Sequence, residues 1–336
     1  MTQTVALIGA GGIAQAHLPA WLALGARVRV HSLAGAPELV ARHGDGTVAG
    51  SLEEALDGAD VVDVCTPTPT HPRLVAQAAG RGASVLCEKP LALTVAEAAG
   101  MIRVCREAGV QLYPGHVVRF FPEYATMHRA VESGTIGPVA VQRFTRAGSR
   151  PRADWFADPA LSGGIVLDQM IHDLDFAVWN AGPVRDVFAR RASTPDTDGR
   201  RGVVSAQVVL THRSGTLSYV TGTWAAPGTT FRTSFEVVGT EGLLTHDSAA
   251  APPVRVDGGG GAAGTGLLPA TVSGESPYLT EIREIAAAFA GGPAPRVSAA
   301  DGLVAVQLAT AANESLRTGA PVAVEPLPED LLEVTA

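Results

Sequence analysis

Within the first 120 residues, short apolar runs rich in β-branched residues alternate with alanine-rich stretches, and this alternation restricts the fold more than any other feature. The predicted strands are Val5–Ile8, Val28–His31, Val61–Cys65, Val85–Cys87 and Gln111–Tyr113. The predicted helices between them are Gln15–Leu24, Pro37–His43, Leu52–Leu56, His71–Arg81 and Val95–Glu107. Strands that are apolar on every residue are buried on both faces, so the pattern predicts a parallel sheet between two helical layers. From about Val139 the texture changes. Val139–Arg146, Val187–Arg190, Gly202–Thr211, Gly215–Trp224, Arg232–Gly239 and Gly242–His246 alternate polar with apolar residues, separated by turn signals such as "HRSGT" and "GTEG". That is the pattern of an antiparallel sheet with one face more open. Helices near Pro277–Ala290 and Ala299–Arg317 close the chain, and the low-complexity run "GGGGAAGTG" (258–266) reads as a mobile loop. The expected class is therefore α/β in two domains. Residues 1–120 bind the ligand of a parallel sheet; residues 121–336 hold the second sheet, with the closing helix about 299–317 able to pack back on the first domain.

Composition excludes several functions. The 336 residues are 46% hydrophobic and 17% charged, which suits about two domains with cores of their own. The net charge of −8, with no basic run, argues against nucleic acid and against anionic membranes. No apolar stretch approaches the ~18 residues of a bilayer span, and the start lacks the basic segment of a signal peptide, so a cytoplasmic protein is expected. Cys65, Cys87 and Cys105 are odd in number and lack CxxC spacing, so they are expected as buried free thiols.

The first chemical motif is "VALIGAGGIAQAH", residues 5–17. Gly9-x-Gly11-x-x-Ala14, with Gly12 and Ile13 inside it, follows a strand and opens a helix. Gly9 permits the tight turn, Gly11 lets the backbone approach a pyrophosphate, and Ala14 keeps strand and helix close. The helix N-terminus adds oriented N–H groups, so the motif predicts dinucleotide binding. At the end of the second strand, "VRVHSLAG" places His31 and Ser32 where an acid would accept ribose hydroxyls. Without a carboxylate nothing repels a 2′-phosphate, yet no adjacent arginine clamps one; the cofactor expectation is NAD(P) with a lean to NADP. In "CTPTPTHPRL" (65–74), Thr66 and Pro67 lie at the carboxyl edge of the sheet, where such folds bind ligands. Thr70 or His71 caps the next helix, contacts cofactor, or both.

"VLCEKPLALT" (85–94) puts Glu88 and Lys89 at another carboxyl-end edge, with Pro90 stopping the strand. A lysine ammonium there can hydrogen-bond a substrate hydroxyl and favour a developing alkoxide, while Glu88 pairs with it or contacts ribose. A surface ion pair is the plainer alternative. "SGGIVLDQMIHDLDFAVW" (162–179) is a glycine turn leading into an apolar helix, with Asp168 and His172 on one face and Asp175 near it. A histidine there can take a hydroxyl proton as hydride leaves carbon, with Asp168 orienting it or the substrate. One histidine and carboxylates on a single helix lack the other ligands of a metal site, so no metal is expected.

These segments together resemble the Gfo/Idh/MocA family of NAD(P)-dependent oxidoreductases (glucose–fructose oxidoreductase, inositol dehydrogenase, rhizopine catabolism). The resemblance spans nearly the whole chain and rests on "GAGGIAQAH", "TPTPTH", "CEKPLALT", "GHVVRFFP", "ESGTIGPV", "SGGIVLDQMIHDLD" and "SAADGLVAVQLATAANESLRTGAPVAV". It implies a Rossmann domain followed by an α/β domain with an open, mainly antiparallel sheet, through which relatives often form homodimers or homotetramers. It implies that Lys89, Asp168 and His172 match the family's catalytic Lys, Asp and His, and that Asp175 matches a second acid facing substrate. By the same resemblance, His116, Val117, Arg119 and Phe120 lie near the active-site floor, and Trp155 and Tyr278 line the substrate pocket. Ser32 stands in place of the acid of NAD-using relatives, and Val117 and Val118 stand where several sugar and inositol enzymes carry Asn or Arg. The implied activity is hydride transfer between nicotinamide and a secondary alcohol or carbonyl of a sugar, inositol or related small molecule. An NAD-dependent glycosidase and a redox-silent ligand sensor of the same fold are the alternatives.

Overall fold

The computed structural model describes residues 2–151, 153–196, 202–250 and 274–332. The expected mobile loop at 258–266 lies outside them. The first compact unit comprises Met1–Phe121, Glu275–Val306 and Leu327–Ala336, and the second Pro122–Gly274 and Gln307–Pro326. The expected first range thus gains Glu275–Val306 and Leu327–Ala336, which the sequence reading had placed in the second domain.

In the first unit, β1 (Thr4–Ile8), β2 (Arg27–His31), β3 (Thr47–Val48), β4 (Val61–Val64), β5 (Ser84–Glu88) and β6 (Leu112–Gly115) form a parallel sheet of order β3-β2-β1-β4-β5-β6. That is the strand order of a doubly wound dinucleotide-binding fold. The order reverses between β1 and β4, so the crevice at their carboxyl ends is where such a sheet receives a ligand. The helices are α1 (Ala14–Ala23), α2 (Ala36–His43), α3 (Leu52–Leu56), α4 (His71–Ala79) and α5 (Val95–Glu107). Val5, Leu7, Val30, Val64, Val85 and Leu86 are all buried, as strands covered on both faces require. Helix α5 opens with a capping box: Thr94 Oγ1 accepts from Glu97 N–H, and the Glu97 carboxylate accepts from Thr94 N–H.

The second unit holds α6 (Pro122–Glu132), β7 (Val139–Ser149), α7 (Pro159–Ser162), α8 (Ile171–Ala181), β8 (Val184–Ser193), β9 (Val204–His212), β10 (Leu217–Ala225), β11 (Arg232–Gly239) and β12 (Leu243–Asp247). Later come α9 (Pro277–Phe289) of the first unit, α10 (Ala299–Thr318), β13 (Val322–Ala323) of the second, and α11 (Glu329–Leu332) of the first. The second sheet runs β12-β11-β7-β10-β9-β8-β13. It is antiparallel except for β7 against β10, which pair in parallel. Along β10, Ser218, Val220 and Trp224 are buried while Tyr219 is exposed, so one face carries α8 and the other is more open. Cys65, Cys87 and Cys105 are buried free thiols, and burial pushes the Cys105 thiol up to about 12. Among the described residues, no helix is long and apolar enough to cross a membrane.

Candidate active site

The glycine loop is built from backbone alone. Gly9 follows β1, donates to the His31 carbonyl at 2.8 Å and has φ +112°. A Cβ there would stand 2.5 Å from the Cys65 carbonyl oxygen, so only glycine fits between the ends of β1 and β4. Gly11 and Gly12 are exposed, and nothing lies within 4 Å of where their Cβ atoms would be. Ile13 is half-buried and Ala14 buried. Helix α1 begins there with no side-chain cap and no acid in its first turn. Its first N–H groups are therefore left for an anion. The loop fits a dinucleotide pyrophosphate.

Around this cradle the side chains are held by local contacts. Ser32 is half-buried, and the ring of His31 faces the Ala49 carbonyl at 3.2 Å. Pro67 is exposed; Thr66 and Thr70 share a hydroxyl contact of 2.6 Å, and Thr70 donates to the Pro67 carbonyl. Neither Thr70 nor His71 caps α4 with its side chain, as the capping reading expected. His71 is buried instead. Its Nε2 faces the Thr66 carbonyl at 2.8 Å, and its Nδ1 faces the carbonyls of Pro90 and Leu91 at 3.0 and 3.2 Å. Burial lowers its pKa against these hydrogen bonds. The ring clasps the loop after β4 to the turn after β5.

That turn carries Lys89, half-buried, after Glu88, which is buried at the end of β5. The Lys89 N–H donates to Glu88 Oε2 at 3.1 Å, and Glu88 Oε1 faces His17 Nε2 at 3.3 Å. His17 Nδ1 lies 2.9 Å from Asp63, which also accepts from the Trp21 indole at 2.7 Å. Burial alone would lower the His17 pKa; the Asp63 carboxylate and then Cys65 outweigh it and hold the pKa well above its ordinary value. His116, Val117 and Val118 are buried, the valines in a 3₁₀ turn with Arg119 and Phe120. The Arg119 guanidinium donates to the Arg296 carbonyl at 2.7 Å and pairs with Asp301 at 3.1 Å. Tyr278, at the start of α9, lies with its ring 5.8 Å from that of His17.

In the second unit, the segment expected as one helix is two. Val166–Met170 forms a π-helical turn that runs into α8. Gly163, with φ +69°, admits the Leu167 side chain, whose Cδ2 would stand 2.3 Å from a Cβ there. Gly222 on β10 likewise leaves room for Met170. Asp168, His172 and Asp175 are all buried. At about 100° per residue they share one side of the helix, and Asp173 points well away from them. Asp173 meets Arg146 of β7 through two bonds of 2.8 and 3.0 Å, which fixes the rotation of α8 on the sheet. The Gln142 amide donates to the Ala177 carbonyl at 2.8 Å. Trp155, half-buried in a 3₁₀ turn, stacks on Phe156 with centroids 3.7 Å apart.

Residues 3–116 match the model of the oxidoreductase family with NAD-binding Rossmann fold, and residues 124–245 match the GFO/IDH/MocA C-terminal domain. Over 271 residues, 79% of this chain and 80% of the relative, the sequence is 34% identical to myo-inositol 2-dehydrogenase of Thermotoga maritima. The chain belongs to the Gfo/Idh/MocA family. It is 30% identical to D-apiose dehydrogenase of Paraburkholderia graminis over 98% of this chain and 92% of that one. Among solved structures it resembles GenD2 from gentamicin A biosynthesis, in complex with NAD, with a TM-score of 0.84, 26% identity and 97% of each chain covered. As a Gfo/Idh/MocA protein it is an NAD(P)-dependent oxidoreductase. Sequence reasoning passed over His17, Trp21, Asp63 and Glu281. The signal was present: Asp63 is a charged residue inside the otherwise apolar strand Val61–Val64, and such a residue needs a buried partner.

Proposed function

We propose that this protein moves a hydride between nicotinamide and a secondary alcohol or carbonyl of a cyclic polyol or sugar. The observation that carries the reading is the single buried helix side bearing Asp168, His172 and Asp175. The inositol and sugar dehydrogenases among its relatives support the substrate class. In this reading Gly9, Gly11, Gly12, Ile13 and the N-terminus of α1 hold the pyrophosphate, and Ser32, Thr66 and Pro67 line the cofactor's path. The bound cofactor supplies the hydride acceptor or donor. Lys89 donates to the substrate oxygen and favours its negative charge. His172 removes the hydroxyl proton in the oxidative direction and returns it in the reductive one, with Asp168 orienting the ring. Each unit offers its own candidate substrate contacts: His116 and Tyr278 in the first, Trp155 and Asp175 in the second.

The test compares Lys89→Ala and His172→Ala on a panel of inositols and sugars. Each is expected to lower kcat by ~10²–10⁴-fold, the usual worth of general acid–base catalysis, with cofactor affinity within a few-fold. Groups that act as one unit lose less together than the product of the single losses. Full kcat in either variant would overturn the role of that residue. Release of an aglycone with tightly retained NAD would mark a glycosidase instead.

The cofactor reading is NAD(P) with a lean to NADP, because Ser32 offers no carboxylate to repel a 2′-phosphate. The lean is small, since Arg29 is bound to the carbonyls of Glu54 and Asp57 and Arg42 to Gln15. Ser32→Asp should move the NADP-to-NAD ratio of kcat/KM toward NAD; an unmoved ratio removes Ser32 as the discriminating position. Self-association into a dimer or tetramer through the open face of the second sheet goes with this reading, and light scattering of the purified protein decides it.

A further inference from the structure

We propose that His17 is a positioning residue for the Lys89 turn, acting through the carboxylate of Glu88. This rests on the reading of Lys89 as catalytic. The contacts run in series within the first unit: hydrogen bonds as far as His17, and from His17 to Glu88 an ion-pair approach without hydrogen-bond geometry. The Trp21 indole donates to Asp63 at 2.7 Å, Asp63 holds His17 Nδ1 at 2.9 Å, and His17 Nε2 faces Glu88 Oε1 at 3.3 Å. The other oxygen of Glu88 accepts the Lys89 N–H at 3.1 Å. Trp21, Asp63, His17 and Glu88 are all buried, so no water competes for these contacts. Strand β6 completes the seat: a Cβ on Gly115 would come 2.8 Å from Glu88 Oε1, and glycine there lets the carboxylate pass.

The electrical balance supports the assignment. The groups facing His17 are Asp63 and Cys65 from the β4 end, Glu88 from β5, and Tyr278 and Glu281 from α9. Burial pushes the Glu281 pKa well up, with His17 opposing and Glu88 and Asp63 adding to it. His17 thus sits between the carboxyl groups of Asp63 and Glu88. Buried charges of this kind stabilise less than apolar side chains of equal volume would. What the arrangement does supply is direction: a glutamate side chain with three torsions is reduced to one placement, and the peptide it grips is the one that starts the lysine.

The test uses two substitutions that each keep half of the imidazole. In His17→Gln the amide nitrogen falls near the place of Nε2 and still reaches Glu88. In His17→Asn it falls near the place of Nδ1 and reaches only Asp63. With the panel substrate of highest kcat/KM, His17→Asn is expected to lower kcat by up to ~10²-fold, the cost of misplacing a reacting group by about an ångström. KM and the NADH and NADPH affinities, read by cofactor fluorescence, should stay within a few-fold. His17→Gln should recover most of kcat. Hydrogen–deuterium exchange supplies a readout free of turnover: the Lys89 amide should exchange faster in His17→Asn and Glu88→Gln, and remain protected in His17→Gln. Wild-type kcat and protection in His17→Asn would overturn the proposal. So would equal losses of kcat and thermal stability in both variants at position 17, which would make His17 a general support. One zinc per chain, lost in both variants, would also overturn it, because His17, Asp63 and Cys65 lie close enough together to ligate an ion. If Lys89→Ala keeps full kcat, the catalytic reading of Lys89 fails by itself, and amide exchange still decides whether His17 holds the turn.

Discussion

In the first unit the groups offered to a ligand by the glycine loop are main-chain atoms, and the side chains nearby are bound to one another. In the second unit the proposed groups are side chains of the π turn and α8, and the main chain only sets their angle. The first arrangement depends on what is missing: a Cβ at Gly9, Gly11 or Gly12 matters more than any functional group. The second depends on an anchor. Helical spacing puts Asp168, His172 and Asp175 on one side, and Asp173, tied to Arg146 on the sheet, fixes which way that side turns. At Gly11 and Gly12 a backbone site is therefore broken by added bulk without loss of the fold, whereas a helix-face site is broken by loss of the support beneath it.

The sharpest break is Gly11→Val. Nothing stands within 4 Å of the added Cβ, so thermal stability should hold while binding of NADH and NADPH is abolished. Retained cofactor affinity in the folded variant would show that the loop is only a tight turn. Arg146→Met attacks the other side of the comparison. It leaves the Asp173 carboxylate buried without its partner, which typically costs about 3–5 kcal/mol. Denaturant unfolding should show that loss, and Asp173→Asn in the same background should restore part of it. A loss below about 1 kcal/mol, the worth of a surface pair, would mean that the pair does not anchor α8.

How much of this was legible in the sequence follows the same division. Alternation located β1, β2, β4, β5 and β6, because even β2 with its arginines and β4 with Asp63 keep β-branched residues between the helical stretches. The glycine loop was legible because backbone geometry restricts residue type directly. The two-residue strands β3 and β13 carry too few side chains to make a pattern. The π turn at Val166–Met170 was not legible either, because the residues that favour an α-helix favour it equally. Asp168 and His172 still share a face, since four residues nearly complete a turn in both geometries. The partners of His71 and Glu88 were hidden for a different reason: Pro90, Leu91 and His17 lie on loops and a helix remote in sequence, and only the sheet order brings them together.

The smallest effect sharpens the contrast by asking whether the first unit also stores charge. Glu281 is fully buried, and among the described residues neither of its carboxylate oxygens has a hydrogen-bond partner. Its pKa is raised by burial, so well below the ordinary value of 4.5 the acid is protonated in both the folded and unfolded chain. As pH rises above that, the unfolded chain ionises and the folded chain does not, so stability falls until the raised pKa is reached. Glu281→Gln has no such loss. Its melting temperature relative to the parent should therefore rise as pH increases above 4.5 and level off once the raised pKa is passed. A difference that is flat with pH would mean that Glu281 ionises normally and that the balance around His17 is different.

The segment from Glu88 to Thr94 is gripped along its length: by His17 at its start, by His71 at the carbonyls of Pro90 and Leu91, and by the Thr94–Glu97 box at its end. Three separate contacts over so few residues restrict bending within the segment. Thermal motion on the microsecond-to-millisecond scale that admits substrate and frees product has to be sought in other segments, while this one behaves as a fixed jig. An evolving pocket can then change the substrate it accepts by remodelling its movable walls, and the lysine keeps its address.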